Sequence, residues 1–128
     1  IGIHFYDMLS WIFGEVQENQ VHFRTKDTAA GYLEFDKARV RWFLSINEAS
    51  LPNTIREKGQ RTYRSITVDK EEIEFSEGFT ELHTTSYQHI LNGNGFGLTD
   101  AKKSIEITHA IRNNQLVIKG QKHPFLKM

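Results

Sequence analysis

His4 and Asp7 open the list of residues whose types and spacing could do chemistry. Three positions apart, they share a face if the chain around them is helical. Imidazole takes up a proton near neutral pH, and a carboxylate one turn on can orient it or stabilise the helix. From the residues alone, two readings of His4 stand: a proton-handling group and a structural histidine buried among Ile3, Phe5 and Tyr6. His83 and His89, six apart on a later helix, fall on different faces. Neither pair forms a His-Glu-x-x-His pattern and the chain has no cysteine, so no metal site is expected. Gly93-Asn94-Gly95-Phe96-Gly97 has the glycine content of a phosphate loop. It follows an expected helix rather than a strand, lacks the Lys-Ser/Thr ending, and reads as a connection with a helix cap. Arg39, Arg41, Arg61 and Arg64 form either a modest anion site or ordinary surface pairs with the carboxylates beside them.

The elements that must position these residues centre on TAAGYLEFDKARVRWFLSI, positions 28–46. Its alternation predicts two antiparallel strands turning at Asp36-Lys37. In that register Phe35 faces Ala38, Leu33 faces Val40, Gly31 faces Trp42 and Ala29 faces Leu44, making one apolar face. The other face carries Glu34 opposite Arg39 and Tyr32 opposite Arg41. Glycine opposite tryptophan leaves room for the indole. Before the hairpin, helical spacing over Ile3–Phe13 ends at Gly14. A first strand is expected within 15–25, with Val21 and Phe23 on one face and His22 and Arg24 on the other. Residues 47–60 read as a loop with a short turn near Asn53–Lys58. A second hairpin turns at Asp69-Lys70 and sets Ile66 against Ile73. Two helices follow. One spans 80–91, with Leu82, Tyr87, Ile90 and Leu91 on one side and a stop at Asn92-Gly93. The other is capped by Thr99 and runs to Arg112, with Ala101, Ile105, Thr108 and Ile111 marking one side and Ile107 and Ala110 broadening it. Leu116–Lys119 reads as a brief strand and the remainder as a tail.

This order predicts an α+β fold: a mostly antiparallel, open-faced sheet of five or six strands with helices on one face. The chain is read as one domain, 1–128. The free sheet face, carrying Tyr32, Arg41 and Phe43, has the aromatic and arginine content of an interface. Self-association to a dimer or tetramer through it is expected. Balanced charge, 16 basic against 16 acidic residues, provides no long-range field for nucleic acid or anionic lipid. No apolar run approaches the roughly 18 residues of a membrane span. The absence of cysteine is compatible with the cytoplasm, the expected location. The chain opens at Ile1 without Met and directly within apolar residues, which suggests a piece of a larger fold.

IGIHFYD at the start resembles the Gly-x-His segment of the Gfo/Idh/MocA oxidoreductases. RVRWFLSI, TYRSITVDKEEIEF and GFTELHTTSYQHILNGNGFGLTDAKKSIE resemble the branch that oxidises the 3-position of UDP-N-acetylglucosamine sugars or their uronic acids. The resemblance spans essentially the whole chain as that family's C-terminal domain. It implies a substrate-binding and assembly domain of a nucleotide-sugar 3-dehydrogenase. The partner Rossmann domain, with its Gly-rich cofactor loop and catalytic lysine, is not in these 128 residues. His4 then falls on the family's catalytic histidine. Beside that resemblance, His83, where the later helix opens, and Arg41 on the sheet face are the candidate substrate contacts, with a surface histidine as the other reading of His83. NAD or NADP is implied for the parent enzyme, with none expected on this chain, which is expected to be inactive alone. A stand-alone, non-catalytic binding or oligomerisation domain of the same fold is the alternative.

Overall fold

The computed structural model describes residues 2–76, 81–117 and 120–126. They form two compact units, one built from Ile1–Ile46 with Phe96–Met128 and the other from Asn47–Gly95.

The first unit holds helix α1 (Ile3–Phe13), strands β1 (Val16–Arg24), β2 (Thr28–Phe35) and β3 (Arg39–Ser45), and a late helix of residues Leu98–Asn113. The strands form an antiparallel sheet in sequence order. The β2–β3 register is the expected one, with Ala29, Gly31 and Leu33 opposite Leu44, Trp42 and Val40, and Tyr32 opposite Arg41. Phe35 N–H donates to the Ala38 carbonyl at 2.8 Å to close the turn. Asp36 at that turn also accepts from the Glu15 amide and the Gln17 side chain, at 2.8 and 2.6 Å. The same carboxylate sits where a Cβ on Gly14 (φ 92°) would intrude, so glycine is needed there for conformation and for space. The helix stop and the hairpin turn therefore lock each other.

The core lies on one face of this sheet. Tyr6 and Leu9 of α1, and Ile107 and Ile111 of the late helix, close on Val21, Leu33, Phe35 and Trp42. Gly31 is the tightest point: a Cβ there would meet the Gln20 carbonyl and come within 2.8 Å of the Trp42 indole. Tyr6 meets that indole edge-on, with ring centroids 5.6 Å apart. Both helices lie on this one side, as the open-faced α+β reading requires.

In the second unit, α2 (Asn53–Glu57) is followed by β4 (Ser65–Val68), β5 (Glu71–Glu74) and α3 (Leu82–Leu91); the helix of residues Leu98–Asn113 in the first unit is α4. β4 and β5 pair with Ile66 opposite Ile73, as expected. Asp69 and Lys70 both have positive φ, 49° and 72°, the mirror-image turn that matches strand twist in a two-residue hairpin. The same dipeptide at 36–37 takes no such conformation, because its turn is held by Asp36's bonds to the start of β1.

Several expectations are corrected. Among the described residues the five strands divide into a three-stranded and a two-stranded sheet rather than one. β1 is bulged between Val21 and Phe23: Val21 pairs with Gly31 but Phe23 with Ala30, so Val21 and Phe23 do not share a face and His22 is buried. Gly97, not Thr99, is the N-cap of α4, and its N–H donates to Asp100 at 2.7 Å. On α4, Ile107 and Ile111 face inward as expected, but Ser104 joins them while Ile105 faces outward. Leu82, Tyr87, Ile90 and Leu91 of α3 are all exposed. Leu116 makes a single parallel bridge to Val21 instead of a strand, and Ile118–Lys119 lie outside the described residues, as do Gly78–Thr80 before α3.

Replacing Gly31 with Ala should destabilise the first unit by about 1–3 kcal/mol, the range for overpacking a closed core. The obstruction includes a backbone carbonyl, which cannot rotate away as a side chain would. Urea unfolding of the variant beside the parent chain measures it, and an unchanged midpoint would contradict the packing described.

Candidate functional site

α1 presents two unlike faces. Tyr6 and Leu9 are buried, whereas His4, Asp7 and Trp11 are exposed, at the 3-, 4- and 7-residue spacings of one helical side. His4 is thus in the first turn of the helix with its side chain open to solvent, which removes the buried-histidine reading. Trp11 is 88% exposed, and Ile12 is also open, so α1 is covered on one side only among the described residues. Asp7 accepts a hydrogen bond of 2.5 Å from the buried Ser104 hydroxyl of α4. That bond fixes the rotation of α1 and with it the direction in which His4 is presented. α4 is itself held at its C-terminal end, where Arg24 of β1 donates to the carbonyls of Ile111 and Asn114 at 2.7 and 2.9 Å. A guanidinium there complements the negative end of the helix.

The outer face of the sheet is built differently. Gln20, Tyr32 and Arg41 form a cross-strand row, and beside it lie Glu18, Glu34 and Arg39, with Arg39 paired to Glu34 at 3.4 Å. The β1 bulge turns His22 towards this row. A C-terminal segment crosses the same face: His123 stacks on Phe43 at 5.6 Å, Phe125 meets Phe43 edge-on, and Arg41 Nη1 donates to the Lys122 carbonyl at 3.2 Å. The stretch read as a tail is, over residues 120–126, a strap on the sheet. The face expected to be open is therefore partly covered, at its Phe43 side. Between strap and sheet remains a groove of about 320 Å³, floored by His22, Tyr32, Arg39 and Arg41 and bounded by Gly120 and Gln121.

His22 and His123 both have pKa values held below the ordinary histidine range, by burial first and then by a neighbouring cation, Lys122 for His22 and Arg41 for His123. Burial also pushes the Tyr32 phenol up, with Glu34 adding to the shift.

The sheet separates the residues singled out from sequence. His4 belongs to the helix packed on the core face, whereas Arg41 points from the outer face, so one chain does not bring them together. His83 is exposed on α3 of the other unit. Arg39 and Arg41 share β3, while Arg61 and Arg64 belong to the second unit. Among the described residues no group of three or more His, Asp or Glu is placed to hold a metal. No helix among them is long and apolar enough to cross a membrane. Gly93–Gly97 joins α3 to α4, so it lacks the strand-to-helix geometry that cradles a dinucleotide.

Residues 1–57 match the oxidoreductase family C-terminal alpha/beta domain, Gfo/Idh/MocA type. The Thermus thermophilus WlbA (WbpB) dehydrogenase in complex with NAD and alpha-ketoglutarate is 52% identical over 98% of this chain, with a TM-score of 0.92. The same dehydrogenase in complex with NAD and UDP-GlcNAcA is 50% identical over 98% of this chain, with a TM-score of 0.90. This chain covers 41% of either dehydrogenase chain.

The groove is not legible in the sequence, because simple alternation puts His22 on a regular strand face and residues 120–126 carry no strand or helix pattern. The aromatic pair His123 and Phe125 in an otherwise polar terminus was the available signal.

The depressed histidines make docking of the strap depend on pH. Neutral in the folded chain, each contributes stability that is present above the unfolded histidine pKa of about 6.5 and is lost as pH falls from there towards the depressed value. Between pH 7.5 and 5.5 the ring resonances of Phe43 and Phe125 should move towards those of a free chain. In His123→Phe the movement should shrink. Resonances that stay fixed over that range would contradict the assignment.

Proposed function

We propose that this chain is the substrate-binding and assembly domain, 1–128, of an NAD-dependent nucleotide-sugar 3-dehydrogenase, acting on a UDP-N-acetylglucosamine sugar or its uronic acid and inactive by itself. The observation that carries the reading is 50% identity, over 98% of the chain, to a dehydrogenase held with NAD and UDP-GlcNAcA. A Rossmann domain in the same polypeptide, a dimer or tetramer formed through the sheet face, and a cytoplasmic location belong to the same reading.

Oxidising a secondary alcohol removes a hydride and a proton. The two-electron part belongs to the nicotinamide of the parent enzyme. What this domain contributes is the proton acceptor. His4 is exposed on a helix anchored by the Asp7–Ser104 bond, where it takes the proton of an incoming hydroxyl or orients that hydroxyl for the parent enzyme's lysine. Asp7, engaged with Ser104, is an anchoring carboxylate and not the base. His83 serves as a sugar contact in this reading. Arg41, across the sheet from His4, would meet a sugar only at a site supplied by a second copy.

In the intact enzyme, His4→Asn should lower turnover about 10²-fold to 10⁴-fold, the span usual for losing a general base, with NAD affinity nearly unchanged. Asparagine keeps one hydrogen-bonding position but cannot relay the proton. Near-parental turnover in a correctly folded variant would return His4 to an ordinary surface histidine. His83→Asn should raise the Michaelis constant for the sugar while leaving turnover close to that of the parent, and an unmoved constant would remove it from the site.

A further inference from the structure

We infer that the groove between the sheet's outer face and the C-terminal strap is a binding site for a small oxyanion that also carries a hydroxyl, with Arg41, His22 and Tyr32 as its contacts. The groove lies apart from the His4 surface but on the sheet face, and with the Arg41, that the assembly reading gives to a second copy; binding to it is measured without turnover, so its failure and the failure of the dehydrogenase reading are distinguishable.

His22 is the first observation. The residue is 7% exposed, and neither Nδ1 nor Nε2 has a protein partner. Buried imidazoles are ordinarily bonded, so this ring is left with a donor and an acceptor to satisfy. It lines the groove, and its Nε2 is turned to the roof at Gly120, where an added Cβ would lie 3.8 Å away. Gly120 has φ 104°, a conformation that side chains disfavour, so this part of the roof is bare backbone.

Arg41 is the second. Its guanidinium donates through Nη1 to the Lys122 carbonyl, and among the described residues it has no carboxylate partner. Its remaining N–H groups border the same groove. Arg39, by contrast, is engaged by Glu34, so the groove has one cation committed to a carboxylate and one that is not. Tyr32 lies between Gln20 and Arg41 in the cross-strand row and adds a phenol that can donate or accept. Gln20 is turned to Glu18, whose carboxylate accepts from its amide.

These groups specify a ligand. One uncommitted guanidinium favours one anionic group rather than two. A neutral imidazole offers one donor and one acceptor, which suits an oxygen acid that keeps an O–H. A volume of about 320 Å³ admits a small molecule and not a polymer. Hydrogen phosphate or its monoesters and small hydroxycarboxylates share this chemistry.

The test uses the whole chain labelled with ¹⁵N, with His22 imidazole resonances followed at pH 7.5 during separate titrations with inorganic phosphate and with glycolate. The expected result is a saturable millimolar shift of His22 with at least one probe. A response to phosphate alone assigns phosphate esters, to glycolate alone hydroxycarboxylates, and to both the shared oxyanion. Arg41→Gln, an exposed change, should weaken the apparent Kd about 10-fold or more, as expected for losing a charged hydrogen-bond partner. Arg61→Gln, in the other unit, should leave it unchanged. No saturable shift with either probe, an Arg41→Gln chain that binds as tightly as the parent, or an equal loss in Arg61→Gln would each overturn the site.

Discussion

The contact of the Trp42 indole with the bare backbone of Gly31 organises the first unit. A tryptophan on an edge strand needs a flat neighbour, and glycine on the central strand provides one directly opposite. This pairing admits a single register. A slip of one residue would move Trp42, Val40 and Leu44 outward and carry Arg39 and Arg41 into the core. It also sets the height at which α1 rests, because Tyr6 meets the indole by its edge. Through Tyr6 the hairpin register reaches the helix that carries His4, and through Asp7 and Ser104 it reaches α4. The exposed histidine is thus tied by a short run of packed groups to a glycine on the central strand.

How much of this is legible in sequence depends on whether the determining interaction is local. The β2–β3 register could be read residue by residue, because alternation, a two-residue turn and the Gly31–Trp42 pair all agree. α1 could be read to its ends for the same reason: a continuous helical pattern stops at a glycine of positive φ. The β1 bulge could not. Its strand pattern permits regular alternation, and what breaks it is the pairing of Val21 with Gly31 and Phe23 with Ala30, a choice made by the neighbouring strand. One position on the inner side of α4 is hidden from sequence for a related reason. Ile105 and Ser104 differ in hydrophobicity in the direction opposite to their burial, because Ser104 has a partner in Asp7 waiting for it. Hydrophobicity alone cannot reveal a buried hydroxyl whose acceptor lies 97 residues away. His4 and Arg41 were legible as candidates but not as residues on opposite sides of a sheet, since that separation follows from where the helices pack.

Seen from the sheet, the domain has two chemically different sides. The helical side presents His4 on an element held by a charge-assisted hydrogen bond and by aromatic packing, so its position is well defined. The outer side has the polar row of Gln20, Tyr32 and Arg41, with the strap held by the rings of His123 and Phe125 and by an Arg41 bond to the Lys122 backbone beside them. Arg41 therefore has two duties. It secures the strap through the Lys122 carbonyl, and it is part of the reason the His123 imidazole stays neutral.

That coupling has a physical consequence for the outer face. His22 and His123 sit beneath and within the same strap, and each is kept neutral by burial together with a cation contributed by the other side of the contact: Lys122 from the strap acts on His22 of the sheet, and Arg41 of the sheet acts on His123 of the strap. Protonating either ring places like charges across the junction, in surroundings that hydrate them poorly. An anion seated between Arg41 and His22 would act in the opposite direction, offsetting the cation and easing the charge density under the strap. Ligand binding and strap docking on this face are consequently linked through Arg41, because the same guanidinium serves both, and a change that loosens one must alter the free energy of the other.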